Sequence, residues 1–332
     1  MRDVRDVRDV KGVVRRVLVL AGGGAVVLVL VAAGMHLYAS ARRNAFIEAG
    51  AQAAPVRVTD LGVLPPEVRE SSGLAVSRAH PGTFWTHNDS GDRPRLYALD
   101  STASLVATFE VADAEARDWE ALDIGPCPGG LTSAAWCLYV GDTGDNARRR
   151  DHVTVYVVAE PDPADPSQGV DVIARVRFRY EGGPFDAEAL AVTPAGDLVI
   201  ATKGRAPAMW VFTMPADTVV RYADGERVAV LTDPVRLPVE PEFRLGRWLT
   251  GGSLDGSGSI LALRTYTEVY FYRWPMADVP EPVAETCFLG LIEPNGEAIA
   301  FAGEEGQLLL TSESPGRLRG HLLEIECSGV GG

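Results

Sequence analysis

The chain has 332 residues, 46% hydrophobic and 23% charged, which excludes wholesale disorder. The formal charge is −14, and because residues 1–43 are net basic the remainder stands at −19. A body this acidic repels phosphate backbones, which excludes general nucleic-acid binding, and it suits cations.

In chain order, residues 1–16 form a basic tail, with Arg15 and Arg16 just before an apolar run from Val17 to Met35. Nineteen residues without a charge, behind positive flanks, predict a single transmembrane signal-anchor over 17–38 with the C-terminal body outside the cytoplasmic (inner) membrane. The alternative is a cleaved signal peptide ending at Ala39-Ser40-Ala41, which would leave the protein secreted. Residues 39–55 are Ala-rich, carry both charge signs and read as a stalk.

From 56 to 332 the sequence reads as all-β, with short Val-, Leu-, Tyr- and Phe-rich runs between Gly, Pro, Asp and Asn. One unit recurs. It opens at Glu70-Ser71-Ser72-Gly73-Leu74, Asp118-Trp119-Glu120-Ala121-Leu122, Asp186-Ala187-Glu188-Ala189-Leu190, Gly251-Gly252-Ser253-Leu254 and Gly296-Glu297-Ala298-Ile299. The final aliphatic residues are 48, 68, 64 and 45 apart, the scale of a four-stranded propeller blade. Second strands follow at Thr83–His87, Cys137–Val140, Asp197–Thr202, Ser259–Leu263 and Gln307–Thr311. Fourth strands follow at Leu105–Val111, Val172–Tyr180, Arg227–Leu231 and Ala284–Leu291. The last unit runs out of chain after its third strand, His321–Ile325, and Val56–Val63 is free to supply the fourth and close the ring. The expected fold is a five-bladed β-propeller behind one transmembrane helix. Six blades, or two stacked sandwiches, are the alternatives.

In that geometry the openings and the ends of the second strands meet on one face. Four residues before the aliphatic anchor stand Glu70, Asp118 and Asp186, and two before it stand Glu120, Glu188 and Glu297. Both offsets share one side of a strand. At the second-strand ends stand Asn88, Asp89, Asp142, Lys203, Arg264 and Glu313. Carboxylates this close share protons or bind a cation, and an all-oxygen donor set points to Ca²⁺, with Mg²⁺ second. The five His residues show no zinc spacing. Lys203 is notable because beyond residue 43 there is one Lys against 22 Arg.

Two function classes fit. In one, a binding propeller holds a structural cation at an acidic ring and takes up a small anionic ligand or a protein partner, with Glu70, Asn88, Asp89, Asp142 and Glu313 near the ligand. In the other, a metal-dependent hydrolase of phosphate esters or lactones, Glu120, Asp186, Glu188 and Glu297 hold the metal. Asp118 then activates water, and Lys203 and Arg264 hold the anion. No Gly-x-Ser-x-Gly run is present, so a serine hydrolase is not expected. The turn-rich loops His87–Asp92 and Gly141–Asn146, the latter followed by Arg148-Arg149-Arg150, lack the spacing of an EF-hand. Four cysteines outside the cytoplasm predict disulfides Cys127–Cys137 and Cys287–Cys327.

The openings at 70–75, 118–120 and 186–190, with Thr86–Gly91 and Gly141–Asn146, resemble those of secreted or membrane-anchored bacterial propellers of the SdiA-regulated and esterase-like phytase families. The resemblance covers about residues 56–326 and implies a propeller with an acidic central site. Calcium-dependent phytases and apyrases use such a site on phosphate esters. The Asp-Ala-Asp-Asp-Pro-Ala signature of propeller phytases is absent from this sequence.

Overall fold

The computed structural model describes residues 31, 34–167, 169–205, 208–242, 245–293, 295–303, 306–313 and 319–330. Two compact units divide at residue 51. In the first, residues 34–51 belong to helix α1, where Arg42 lies over the Phe46 ring one turn on, at 5.3 Å. Most of the apolar run Val17–Met35 lies outside the described residues, and so does the expected membrane span. Among the described residues no helix is long and apolar enough to cross a membrane.

The second unit is built from antiparallel sheets laid down in chain order. The first comprises β2 (Ser71–Val76), β3 (Phe84–Asn88), β4 (Arg95–Leu99) and β5 (Leu105–Ala112). The second comprises β6 (Ala121–Pro126), β7 (Trp136–Asp142), β8 (Val153–Ala159) and β9 (Val170–Tyr180), and is hydrogen-bonded edge to edge with the first through β5 and β9 so that the two form one continuous sheet. The third holds β10 (Ala187–Val192), β11 (Leu198–Thr202) and β12 (Trp210–Met214), and after helix α2 (Ala216–Arg221) it ends in β14 (Val235–Arg236). The fourth is β15 (Leu249–Leu254), β16 (Ile260–Thr265), β17 (Glu268–Arg273) and β18 (Cys287–Phe288). The last is β19 (Asn295–Phe301), β20 (Gln307–Glu313) and β21 (His321–Cys327), completed by β1 (Val56–Val63) from the start of the unit.

The pairing of β1 with β21 runs from Val56 opposite Cys327 to Val63 opposite His321, with a bulge between Asp60 and Gly62. The expected N-terminal closure is therefore the observed one. Both expected disulfides are present, with Cα separations of 4.9 Å for Cys127–Cys137 and 6.0 Å for Cys287–Cys327. Cys287–Cys327 joins the last two sheets beside that closure. Such bonds persist in an oxidising compartment and so fit a unit outside the cytoplasm.

One expected strand is corrected. Residues 228–231, expected as the fourth strand of the third sheet, form β13 (Val228–Leu231), which pairs in parallel with β9 of the second sheet. The third sheet is closed instead by the two-residue β14. A second parallel contact, Val111 with Val170 and Ala112 with Asp171, links the outer strands of the first two sheets.

The apolar core is divided into wedges, each between two neighbouring sheets. Trp85, Phe109 and Trp119 pack with Leu138 and Tyr156 between the first and second. Tyr139 and Phe178 meet Leu190 and Phe212 between the second and third. Val199 and Val211 meet Leu261 and Tyr272, Phe271 meets Ile299 and Leu310, and Leu309 meets Leu74 and Tyr97, which returns to the first sheet. Each sheet is thus covered on both faces. Inner strands such as β10 and middle strands such as β8 are therefore apolar at nearly every position, whereas the outer β5 alternates buried and exposed residues. The inner strands β2, β6, β10, β15 and β19 pack neighbour to neighbour in a closed cycle, the arrangement of a β-propeller.

Polar ties fasten this cycle at its inner edge. Val192 N–H donates to Asp123 Oδ2 at 2.7 Å between the second and third sheets. Thr250 Oγ1 donates to the Gly296 carbonyl at 3.0 Å between the fourth and fifth, and the Ser71 and Thr311 hydroxyls bond at 2.7 Å between the fifth and first.

Candidate metal centre

The inner strands share a local irregularity. A β-bulge falls at Ser72 in β2, Glu188 in β10, Thr250 in β15 and Glu297 in β19, where the ladder skips one residue. Glu120, immediately before β6, takes the same place, its N–H bonded to the Gly141 carbonyl at 2.9 Å. A bulge re-aims the side chain it carries. Ser72, Glu120, Glu188, Thr250 and Glu297 are consequently equivalent positions at one level of the channel. Two residues earlier stand Glu70, Asp118, Asp186, Trp248 and Asn295. One residue beyond the ends of β3, β11 and β16 stand Asp89, Lys203 and Tyr266, and Glu313 is the last residue of β20.

Below this level the channel is closed. Leu74, Leu122, Leu190 and Ile299, with Gly252, surround a cavity of about 10 Å³, room for no more than about one water. The site is therefore a cup with an aliphatic floor and a single acidic mouth.

Within the mouth two groups of carboxylates converge and share Glu120. One oxygen each of Asp89, Asp118 and Glu120 lies within 4.8 Å of the others, and the same holds for Glu120, Asp186 and Glu188. Burial deepens from the rim inward. Glu70 is exposed, Asp89, Asp118 and Glu313 are half-buried, and Glu120, Asp186, Glu188 and Glu297 are buried. Lys203 Nζ donates to Glu188 Oε1 at 2.7 Å, and Ser72 Oγ donates to Glu120 Oε2 at 3.1 Å. Asp186 Oδ1 accepts the Asp145 N–H at 2.7 Å. The other oxygens, Asp186 Oδ2 and Glu188 Oε2, and with them Glu297 Oε2, are buried with no hydrogen-bond partner. Gly144 permits this crowding, because a Cβ there would stand 2.5 Å from the Asp118 carboxyl carbon.

The electrostatics follow from burial among like charges. Burial, with Asp89 and Asp186 nearby, pushes Asp118 up to about 6. Asp89 also rises to about 6, mainly through burial, with Glu313 and Glu70 adding and the Ser90 amide opposing. Glu188 rises to about 7, burial and Asp186 outweighing Lys203. Glu120 and Glu297 are held well above the ordinary range by burial and by Glu188. Burial alone would lower Lys203, but Glu188, Tyr266, Glu297 and Glu120 outweigh it and keep the ammonium charged.

Not every expected site residue reaches the mouth with free valences. Asn88 is spent on the scaffold. Its Oδ1 accepts the Arg69 and Glu70 amides, and its Nδ2 donates to the Glu67 carbonyl, Asp92 and Tyr97. Asp142 pairs with Arg150 Nη1 at 2.8 Å and accepts the Asp118 amide at 3.0 Å. Arg264 is fully buried and pairs with Glu293, and its Nη1 donates to the Ala298 carbonyl at 2.7 Å and to the Thr311 carbonyl at 3.2 Å. Its place is thus in the joint between the last two sheets. The register of β15 explains the difference. Gly251 pairs with Arg264 and Gly252 with Leu263, so Gly252, not Leu254, is the counterpart of Leu190, and Tyr266, not Arg264, is the counterpart of Lys203. Tyr266, absent from the expected set, has a hydroxyl held above its ordinary range by burial and by Glu297. Its ring meets Trp248 edge-on at 6.5 Å, and Arg205 lies over Trp248 at 5.5 Å.

No protein-family model matches the sequence, and no curated protein was found similar to it. The resemblance to the SdiA-regulated and esterase-like phytase families therefore rests on the motifs quoted above. Among solved structures, a luciferin-regenerating enzyme is similar at 12% identity and a TM-score of 0.47, over 83% of this chain and 96% of its own. The PQQ-bound aldose sugar dehydrogenase of Streptomyces coelicolor is similar at 10% identity and a TM-score of 0.42, over 82% of this chain and 99% of its own. Neither likeness bears on what this chain binds or does.

Proposed function

We propose that the chain is an extracytoplasmic five-bladed β-propeller whose channel mouth binds a divalent cation, Ca²⁺ by its donor chemistry, and that the apolar run Val17–Met35 holds it at the membrane. The blade count is supported by the five apolar wedges, the last of which returns to the first sheet. The observation that carries the cation site is the pair of carboxylate groups meeting at Glu120, together with the partnerless buried oxygens of Asp186 and Glu188. Oxygen-only donors select a hard cation, and a buried oxygen without a donor is costly unless an ion or a proton satisfies it. The function is then ligand or partner binding at a cation-stabilised mouth, with Lys203 as the contact for an anionic group.

A second reading, a metal-dependent hydrolase, is favoured by Asp118. It is the half-buried, outer member of the cluster and is held near 6, so near neutral pH it can take a proton from an attacking water. Turnover of phosphate monoesters or lactones that EDTA abolishes would select this reading.

Ca²⁺ at a hundred times its Kd should stabilise the full chain by about 2.7 kcal/mol, a rise of roughly 5 °C in melting temperature. The double change Glu120→Gln with Glu188→Gln should remove the response. The increment should be larger at pH 8 than at pH 5. Asp89, Asp118 and Glu188 have folded values of about 6, 6 and 7, above their ordinary ones. The cation-free protein therefore loses stability as pH rises from about 4 through 7, the window in which a cation displaces the protons. A melting temperature indifferent to millimolar Ca²⁺ at pH 8 would count against the site.

A further inference from the structure

Beyond the mouth, on the same face, lies a cleft of about 660 Å³ between the β7–β8 connection and the β9–β10 connection. Its volume falls within the range of small-molecule sites, about 300–1,000 Å³. The floor is apolar and aromatic. Tyr180 packs against Phe185 at 5.6 Å and Phe212 at 4.9 Å, and Phe178, Val153 and Val230 complete it.

The rim carries the arginine run that the mouth does not absorb. Asp145 builds this turn, its two carboxylate oxygens accepting the Arg149 amide at 2.9 Å and the Arg150 amide at 2.8 Å. Arg148 is fixed by a bond from Nε to the Pro184 carbonyl at 3.3 Å on the opposite lip. Arg149 and Arg179 stand on the rim with no ion pair among the described residues. Asp151 and Glu181 also line the cleft, so the site is not uniformly basic. His152 on this lining is held below its ordinary value by burial first and then by Arg177, Arg150 and Arg117, with Asp151 opposing. Two buried polar atoms on this lining lack partners, the Tyr180 hydroxyl and Arg150 Nε. Both can donate a hydrogen bond.

We propose that this cleft binds a small organic anion, its apolar body on the Tyr180–Phe185 floor and its carboxylate or phosphate head among Arg148, Arg149 and Arg179. Cationic donors at the rim match the head of such a molecule, and the aromatic floor matches its body. The cleft adjoins the cation site through the Asp145 N–H on Asp186, but no carboxylate of that cluster lines it.

Calorimetric titration of the full chain in EDTA tests it, with phenyl phosphate, benzoate and inorganic phosphate as probes and benzamidine as the cationic control. Phenyl phosphate or benzoate should bind, and which of them binds more tightly identifies the head group. Benzamidine should not bind, and inorganic phosphate, which lacks the body, should bind more weakly. Arg149→Glu with Arg179→Glu should weaken binding by about tenfold or more. Glu120→Gln with Glu188→Gln should leave the affinity unchanged. The proposal is overturned if neither organic anion binds at millimolar concentration, if the arginine pair has no effect, or if the carboxylate pair abolishes binding.

Discussion

Lys203→Met should destabilise the cation-free protein by about 3–5 kcal/mol at pH 8, the usual cost of breaking a buried ion pair by removing one partner. Lys203 is buried, holds Glu188 at 2.7 Å, and lies close enough to Glu120 and Glu297 to be stabilised by both. Without it the buried carboxylates repel one another above an aliphatic floor. The loss should shrink at pH 5. Glu188 already titrates near 7 with the ammonium beside it, and the remaining acids take up protons readily once the ammonium is gone. The sign is set by linkage. A carboxyl whose folded value is raised withdraws stability as pH climbs from its unfolded value through its folded one. Ca²⁺ should restore much of the loss at pH 8, since it supplies the missing positive charge. Urea unfolding at both pH values, in EDTA and in Ca²⁺, reads all three effects. A loss that is equal at pH 5 and pH 8 and insensitive to Ca²⁺ would make Lys203 an ordinary packing residue.

Arg264→Met should be of similar size, about 3–5 kcal/mol, but insensitive to cation. Its guanidinium is 0% exposed and its partner Glu293 3%. It also satisfies the Ala298 and Thr311 carbonyls where the last two sheets meet. Gly296 leaves the room it needs, because a Cβ there would lie 1.6 Å from Nη2. Adding Glu293→Gln to Arg264→Met should recover part of the loss, since it removes the stranded charge. Urea unfolding checks this. A loss under about 1 kcal/mol, or one that Ca²⁺ reverses, would place Arg264 at the mouth after all.

The contrast between these two residues marks how far the sequence could be read. Three inner strands announce themselves by acid-x-acid-Ala-Leu or Glu-Ser-Ser-Gly-Leu openings, and the missing fourth strand of the last unit points to Val56–Val63. The positions of Glu120, Asp186, Glu188 and Lys203 follow from those openings. The fourth sheet misleads because Gly251 and Gly252 occupy the place of an aliphatic anchor, and Leu254 two residues on carries the expected side chain. That slip of two keeps the face but moves the second-strand end from Tyr266 to Arg264. An aromatic at such a position reads as core from sequence, and its nearness to Glu297 exists only in the folded ring. β13 has the composition of a strand, but composition does not name a partner. β14, two residues long, has no periodicity to detect. Asp142 belongs to the acidic pattern, yet Arg150 eight residues on claims it. The turn that brings them together depends on the Asp145 carboxylate capping two amides.

The central claim, that the carboxylates at the mouth form a cation site, is tested most directly by diffraction from crystals of the protein soaked in Mn²⁺, with data collected at the manganese edge. Mn²⁺ accepts the same oxygen donors and scatters anomalously. The account predicts an anomalous peak among Asp89, Asp118, Glu120, Asp186 and Glu188, lost in the Glu120→Gln, Glu188→Gln variant. A mouth with no peak, its acids paired through shared protons at pH 8, would contradict it.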